Sequence, residues 1–239
     1  MLSAYRMMKS TMSFDQALHD QLHHQLIVSV QADQGDPMDD PHILAAMAQA
    51  VVQGGAVALR AGGPANIRAM RQVVDVPLIG LWKVDYPDSP VYITPTMTEA
   101  RQIVEAGCSI LAVDGTSQPR PAGESLEAYL KALQSAFDVP VMADVSTLDE
   151  GLRAADLGAD LVATTLSGYT PYSSRLEGPN FQLVADLAAR LTIPVVAEGR
   201  IRTPADVRQM LDSGAFAVVV GSIITRPAVI TRYFLNGMP

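Results

Sequence analysis

The sequence predicts a (β/α)8 barrel that forms a single α/β domain, and three observations lead to this fold class. Eight short runs rich in β-branched residues alternate with stretches of helical period, as expected of βα units around a parallel sheet. The third, fifth and seventh runs follow DVP, DVP and TIP, whereas a helix-ending glycine precedes the even-numbered runs. No G-x-G-x-x-G follows the first run, which argues against the competing doubly wound sheet. The 239 residues fit one barrel of this kind.

The predicted elements follow from these runs and from the residues at their borders. Thr96 with Glu99, and Thr147 with Glu150, have capping-box spacing, and Thr203 precedes a proline at a first helical position. Glycines at three helix ends favour left-handed C-caps, namely Gly107, Gly158 and Gly214. The strands are predicted at LIVSVQ, AVALR, LIGLWK, ILAVDGT, PVMADVS, LVATTLS, PVVAEGR and AVVVGS.

The first residues are predicted to precede the barrel. Residues 1–12 form a flexible lead-in, and residues 13–239 form the barrel together with a short extra helix over Ser13–His24. Ser13 and Gln16 have the spacing of a capping box. The lead-in has two basic residues but no apolar h-region, so no secretory signal is predicted.

Composition argues against several function classes. Twenty-five acidic and seventeen basic residues give a net charge of −8 without a basic block, so nucleic acid is not an expected partner. No apolar run reaches about 20 residues, so no membrane association is expected. The single Cys108 cannot form an internal disulfide, which fits a cytoplasmic location. All four histidines lie in the first fifth of the chain, away from predicted strand ends, so no metal site is expected.

Ionisable side chains share one face of several strands near the C-terminal ends. Because strand side chains alternate, residues an even number of positions after the preceding proline share a face. These positions hold Lys83, Asp144 and, on the seventh strand, Glu198 and Arg200. Active sites of such barrels lie at the C-terminal ends of the strands, where these charges should pair with each other or with a substrate. Other strands end near polar residues: Gln31, Arg60, Asp114 and Thr165.

The last two strands end in sequences typical of an anion site. The seventh ends in EGRI and the eighth in VVVGSIITRP, and phosphate groups in these barrels commonly bind the backbone amides of the loops after these two strands. Gly199, Gly221 and Ser222 permit close backbone approach, and Arg226 adds positive charge. We therefore expect a phosphate site beside the cluster of ionisable residues.

Seven segments, in order, resemble one known family. They are LIVSVQA, GGAVALRAGG, KVDYPDSPVYITPT, MADVSTLDEG, TTLSGYTPY, AEGRI and VVVGSIITRP, and they span roughly residues 26–234. Together they resemble the N-acetylmannosamine-6-phosphate 2-epimerase family, cofactor-independent barrel enzymes of sialic acid catabolism. The resemblance implies interconversion of N-acetylmannosamine 6-phosphate and N-acetylglucosamine 6-phosphate by inversion at carbon 2. It also implies a homodimer and no cofactor.

The resemblance further implies roles for individual residues. The lysine of the K-x-D-Y segment, Lys83, corresponds to the general base, and the glutamate of AEGRI, Glu198, corresponds to an acid or proton relay. Two positions depart from many relatives: Val84 replaces a basic residue, and Gly62 replaces an asparagine near the substrate. The implied sugar contacts are Gln31, Arg60 and Asp144, to which Thr165 and Arg200 are added by their place at strand ends, and the implied phosphate contacts are Gly199, Gly221, Ser222 and Arg226.

The predicted reaction requires a lysine whose pKa is lower than usual. A lysine pKa is ordinarily about 10.4 and must fall toward roughly 7 to 8 for general-base catalysis at neutral pH. Partial burial and a nearby Arg60 or Arg200 would lower the pKa of Lys83. Three points stay open: whether Glu198 or a reoriented substrate completes the inversion, whether Asp144 pairs with Lys83 or holds a sugar hydroxyl, and whether the 167–180 loop closes over the substrate.

Other function classes also stay open. Lys83 could act as a Schiff-base nucleophile on a sugar phosphate, as in barrel aldolases, and borohydride trapping would reveal it. A metal-dependent pentose-phosphate epimerase of the same fold is disfavoured because no histidine follows a predicted strand. A non-catalytic barrel that binds sugar phosphates would bind ligand without exchanging the proton at carbon 2.

Overall fold

The fold, in a computed structural model that describes residues 14–238, is a closed barrel of eight parallel strands, which confirms the predicted (β/α)8 architecture. Each strand pairs with its neighbours in sequence, and β8 closes the barrel on β1. The strands are β1 (Leu26–Val30), β2 (Ala58–Gly62), β3 (Leu78–Leu81), β4 (Ile110–Asp114), β5 (Val141–Asp144), β6 (Leu161–Ala163), β7 (Val195–Glu198) and β8 (Ala217–Val220).

Helices follow every strand and surround the barrel. A helix α1 (Gln16–Leu22) precedes β1, and a 3-10 turn, Pro121–Gly123, lies in the connection after β4. The others are α2 (Pro41–Gln53), α3 (Pro64–Arg71), α4 (Met97–Glu105), α5 (Leu126–Ala136), α6 (Leu148–Asp156), α7 (Phe181–Arg190), α8 (Pro204–Asp212), α9 (Ser222–Thr225) and α10 (Pro227–Leu235). Within residues 14–238, no helix has the length and apolar character needed to cross a membrane.

Two apolar layers hold the barrel together. Alternate strand residues such as Ile79, Leu81 and Met142 are fully buried inside the barrel, as period-two alternation requires. The opposite strand faces pack against the helices in two further clusters. The inner layer also contains Leu22 and Phe216, so α1 packs against the inner apolar layer. Apolar burial of this kind is the main favourable term in folding.

The helix borders largely agree with the predictions. The capping boxes at Thr96 and Thr147 are both formed, and Thr203 forms a third one with Asp206. Gly107, Gly158 and Gly214 all have positive φ. At the N-terminus, α1 is shorter than the predicted Ser13–His24 because the carboxylate of Asp15 accepts a bond from the Leu18 amide and caps the helix. Ser13 and the predicted lead-in over residues 1–12 lie outside the described residues.

The third strand ends earlier than predicted, at Leu81, and the chain then folds back on itself. Lys83 forms an isolated antiparallel bridge with Ile93, and the Val84 amide donates to the Tyr92 carbonyl at 3.0 Å. The Ile93 carbonyl in turn accepts from the Asp114 amide at 2.9 Å. The returning chain therefore lies between β3 and β4 at the C-terminal end of the barrel. This arrangement fixes the backbone at Lys83 although the residue is beyond the strand.

Candidate active site

A cavity of about 600 Å³ opens at the C-terminal ends of the strands, a size suited to a small ligand. Asp144 is the only predicted site residue absent from its wall, and it is fully buried. The catalytic and sugar-contacting residues predicted from the sequence that line the wall are Lys83, Glu198, Gln31, Arg60, Thr165 and Arg200.

A buried ion-pair network lies on one side of this cavity. Arg60 forms a two-point contact with Asp144, at 3.0 Å for Nη1–Oδ1 and 2.5 Å for Nη2–Oδ2. Its Nη1 also lies 2.8 Å from Oε2 of Glu198. The hydroxyl of Thr165 lies 2.6 Å from the Asp144 carboxylate and 3.1 Å from that of Glu198. Asp144 is therefore paired with Arg60, and the expected alternative of a pair with Lys83 is not observed.

The network shifts the pKa values of its members. Burial alone lowers the pKa of the Arg60 guanidinium, but Asp144 and Glu198 outweigh it and hold that pKa above its ordinary value. Burial raises the pKa of the Glu198 carboxyl, and the attraction of Arg60 offsets only part of this rise. A raised pKa favours the protonated form of the carboxyl group, which is the form that a proton donor needs.

Lys83 lies on the same cavity wall without a salt bridge to any residue in 14–238. Its pKa is lowered, first by desolvation and then by the positive charge of Arg60. Asp33 and Glu198 partly oppose this shift. The second cation that lowers the pKa is Arg226 rather than the expected Arg200. A fraction of neutral amine is therefore favoured at lower pH than for an ordinary lysine.

The lowered pKa can be measured directly because the chain has three lysines, Lys9, Lys83 and Lys131. We expect the ε-carbon NMR signal of Lys83 to titrate with a midpoint below the ordinary lysine value of about 10.4. The variant Lys83→Arg should lack the early-titrating signal. A Lys83 signal that titrates near that ordinary value of about 10.4 would contradict the expected environment.

Arg200 is placed differently from the other predicted residues. Strand alternation ends at Glu198, because Gly199 and Arg200 have φ values of 122° and 56° and are no longer extended. The guanidinium donates to the carbonyls of Ser167 and Gly178, each at 2.9 Å, and lies 5.5 Å from the ring of Tyr169. Arg200 thus joins the two ends of the 167–180 loop beside the cavity. Its contact with a substrate stays a prediction.

Removing this contact should loosen the loop. We expect Arg200→Met to increase hydrogen–deuterium exchange across residues 167–180 and to raise KM for a phosphorylated substrate, because two charge-assisted bonds are lost. Arg190→Met provides a control, since Arg190 is exposed at the end of α7 and lies outside the cavity wall. Unchanged exchange in the loop of the Arg200 variant would contradict its role as a tether.

The predicted phosphate residues lie together on another part of the wall. Gly199, Gly221, Ser222 and Arg226 all line the cavity. A β-carbon on Gly221 would lie 3.2 Å from that of Ser29, so the glycine allows the close packing of this loop on β1. Arg226 pairs with Asp33, with 2.6 Å between Nη2 and Oδ2. The phosphate role of these residues stays a prediction.

The cavity wall also contains residues that sequence analysis did not identify: Asp33, Tyr92, Tyr169, Arg202 and Arg232. A signal existed for Asp33, because alternate residues from Ile27 lead to it through Gln31. Burial raises the pKa of Tyr92 to about 12, so its hydroxyl stays protonated near neutral pH.

The structure also shows the surroundings of Asp114 and Gly62, two further positions noted in the sequence. Asp114, expected near the cluster, is buried and lies off the cavity wall, and it accepts bonds from the amide and hydroxyl of Thr116. Burial raises its pKa to about 6. A β-carbon on Gly62 would lie 3.1 Å from Oε1 of Gln31. A larger residue at position 62 would therefore displace Gln31 on the cavity wall.

Comparison with known proteins agrees with this architecture. The family model described as "NanE: Putative N-acetylmannosamine-6-phosphate epimerase" matches residues 44–239. The chain belongs to the NanE family. Two similar relatives carry the name "Putative N-acetylmannosamine-6-phosphate 2-epimerase". The Caldanaerobacter subterraneus protein is 48% identical to this chain, and the matched region covers 90% of this chain and 91% of the relative. The Clostridioides difficile protein is 43% identical, covering 92% and 98% respectively.

A solved structure of an N-acetylmannosamine-6-phosphate 2-epimerase is also similar to this chain. The N-acetylmannosamine-6-phosphate 2-epimerase from Clostridium perfringens superposes with a TM-score of 0.90 at 42% identity, covering 92% of this chain and 96% of that chain. A thiamine phosphate pyrophosphorylase from Pyrococcus furiosus superposes at 0.59 with 17% identity, covering 92% and 98%. At that identity only the barrel fold is shared, whereas the Clostridium perfringens enzyme supports membership of the NanE family.

Proposed function

We propose that this NanE family member is an isomerase that interconverts N-acetyl-D-mannosamine 6-phosphate and N-acetyl-D-glucosamine 6-phosphate in sialic acid catabolism. The observation that carries the proposal is a single cavity lined by Lys83, by Glu198 and by the glycine-containing loops after β7 and β8. In a chain of this family, that combination provides a base, a carboxyl group and an anion site around one small ligand.

In the proposed reaction, the neutral amine of Lys83 removes the proton from carbon 2. The negative charge that develops on the sugar is stabilised by the Arg60 side of the cavity, where a cation is held by Asp144 and Glu198. A proton is then returned to the opposite face of carbon 2. We assign this step to Glu198, whose raised pKa allows it to hold a proton.

The remaining residues are proposed to bind and orient the substrate. Gln31, Thr165 and Arg200 are assigned to the sugar, and the backbone amides near Gly199 and Gly221 are assigned to the phosphate together with Ser222 and Arg226. Because the phosphate does not react, its binding energy serves to hold carbon 2 against the base. We propose that no metal or other cofactor takes part, since both proton transfers are assigned to side chains.

The proposed activity is tested by incubating each epimer with the purified protein and following both sugars by NMR. We expect the protein to convert each epimer to the same equilibrium mixture. Borohydride treatment in the presence of substrate tests the aldolase alternative, which requires irreversible labelling of Lys83. Binding of both sugar phosphates without conversion would instead favour a non-catalytic barrel.

We also propose a homodimer in the cytoplasm. Support for the dimer comes from the exposed apolar side chains of α10 and the residues after it, where Phe234 is 70% exposed and Met238 66%. Cys108 is buried and has no disulfide, which suits a reducing compartment. A net charge of −8 supports a small-molecule partner rather than nucleic acid.

The oligomeric state in solution tests whether α10 forms the dimer contact. Phe234→Glu should convert the dimer to a monomer in light scattering coupled to size-exclusion chromatography, because a buried unpaired charge opposes association. Val73→Glu is the control, since Val73 is exposed in the turn after α3, far along the chain from α10. A monomeric wild-type protein would contradict the proposal.

A further inference from the structure

We propose that Asp33 competes with the substrate phosphate for Arg226, so that its carboxylate occupies the guanidinium in the free protein and leaves it when a phosphate monoester binds. This inference rests on the proposed function in one respect, because it takes Arg226 as a phosphate contact. Asp33 then acts as a specificity residue at the anion end of the cavity.

The geometry supports an exchange of partners. The carboxylate of Asp33 lies 2.6 Å from Nη2 of Arg226, and both residues line the cavity. The side chain of Asp33 is 66% exposed, whereas that of Arg226 is 23% exposed. Asp33 can therefore rotate into solvent while the arginine keeps its position on the wall.

Arg226 should bind the substrate phosphate more strongly than it binds Asp33. An ion pair with an exposed carboxylate is weak, because solvent screens it and holding the side chain in place costs entropy. A phosphate dianion offers more charge and can accept two parallel bonds from a guanidinium. A phosphorylated ligand is thus able to displace Asp33. A neutral sugar provides no replacement for the carboxylate.

Asp33 also acts on the proposed base. Lys83 is faced by Arg60 from β2 and by Arg226 from the start of α10, which lower its pKa, and by Asp33 and Glu198, which raise it. Loss of the Asp33 charge should therefore have two separate effects. It should strengthen phosphate binding, and it should lower the pKa of Lys83.

The test is Asp33→Asn, which keeps the side-chain shape and removes the charge. Isothermal titration with inorganic phosphate is expected to give about two- to fivefold tighter binding than in the wild type, the equivalent of losing one exposed ion pair. The acidic limb of the kcat/KM profile for N-acetylmannosamine 6-phosphate should move to lower pH. Binding of unphosphorylated N-acetylmannosamine should not change.

Asp39→Asn is the matched control, because it makes the same charge change in the same loop with an exposed side chain that lies off the cavity wall. If both variants tighten phosphate binding equally, a general charge effect explains the result and the proposal is overturned. Unchanged or weaker binding in Asp33→Asn overturns it as well. Phosphate binding needs no turnover, so a catalytically inactive wild type would refute the proposed function while leaving this measurement valid.

Discussion

Lys83→Met is expected to lower kcat for epimerisation by about 100- to 10,000-fold, the range typical of removing a general acid–base group. Methionine keeps an unbranched side chain of similar length, so the cavity should stay filled without a basic nitrogen. Sugar-phosphate binding should be reduced only modestly, because the anion end of the cavity is unaltered. Initial rates and equilibrium binding of each epimer measure the two effects separately.

Lys131→Met is the matched control for this experiment. Lys131 lies on α5, is 76% exposed and pairs with Glu127 one helical turn away. Its replacement should leave kcat and KM near their wild-type values. A Lys83→Met enzyme whose kcat stays within about threefold of the wild type would remove the lysine from the proposed chemistry, since that range is far below a general-base contribution.

Arg60→Met is expected to produce the largest loss of stability, about 3–5 kcal/mol in the free energy of unfolding. The reason is that Asp144 is fully buried and Arg60 is the cation that faces it at two points. Removing the guanidinium leaves an uncompensated buried carboxylate. Urea unfolding at neutral pH measures the difference, and activity should be lost at the same time.

A double variant separates the lost charge pair from the lost packing. Arg60→Met combined with Asp144→Leu should be more stable than Arg60→Met alone, because an apolar pair can replace a buried ion pair at little cost. Arg68→Met, at an exposed position on α3, is expected to stay within about 0.5 kcal/mol of the wild type. A loss below about 1 kcal/mol in the single variant would contradict the buried-charge explanation.

The sequence was sufficient to predict the barrel and the ionisable residues Lys83 and Glu198 on the cavity wall, for a local reason. Alternation along an extended strand is a property of the backbone, so it located Asp144 and Glu198 on the inner face. The same rule does not apply at Arg200, where two positive φ values end the extended conformation, although the residue still lines the cavity. That change depends on the loop it joins, which the spacing of residues does not encode.

Other features depend on contacts between distant parts of the chain. Arg60 and Asp144 are 84 residues apart in sequence, and spacing alone left Asp144 equally able to pair with Lys83. Tyr92 reaches the cavity because its segment folds back between β3 and β4, and Arg232 reaches it from the last helix. Such tertiary contacts are determined by the folded structure, and the local sequence pattern does not predict them.

The proposed function requires Lys83 to exchange the proton at carbon 2 of a phosphorylated N-acetylhexosamine. It is tested most directly by incubating N-acetylmannosamine 6-phosphate in heavy water with wild type and with Lys83→Met, and by following the carbon 2 proton by NMR. We expect deuterium to enter at carbon 2 with the wild type and to enter at least about 100-fold more slowly with the variant. Incorporation at the wild-type rate by Lys83→Met would contradict the claim.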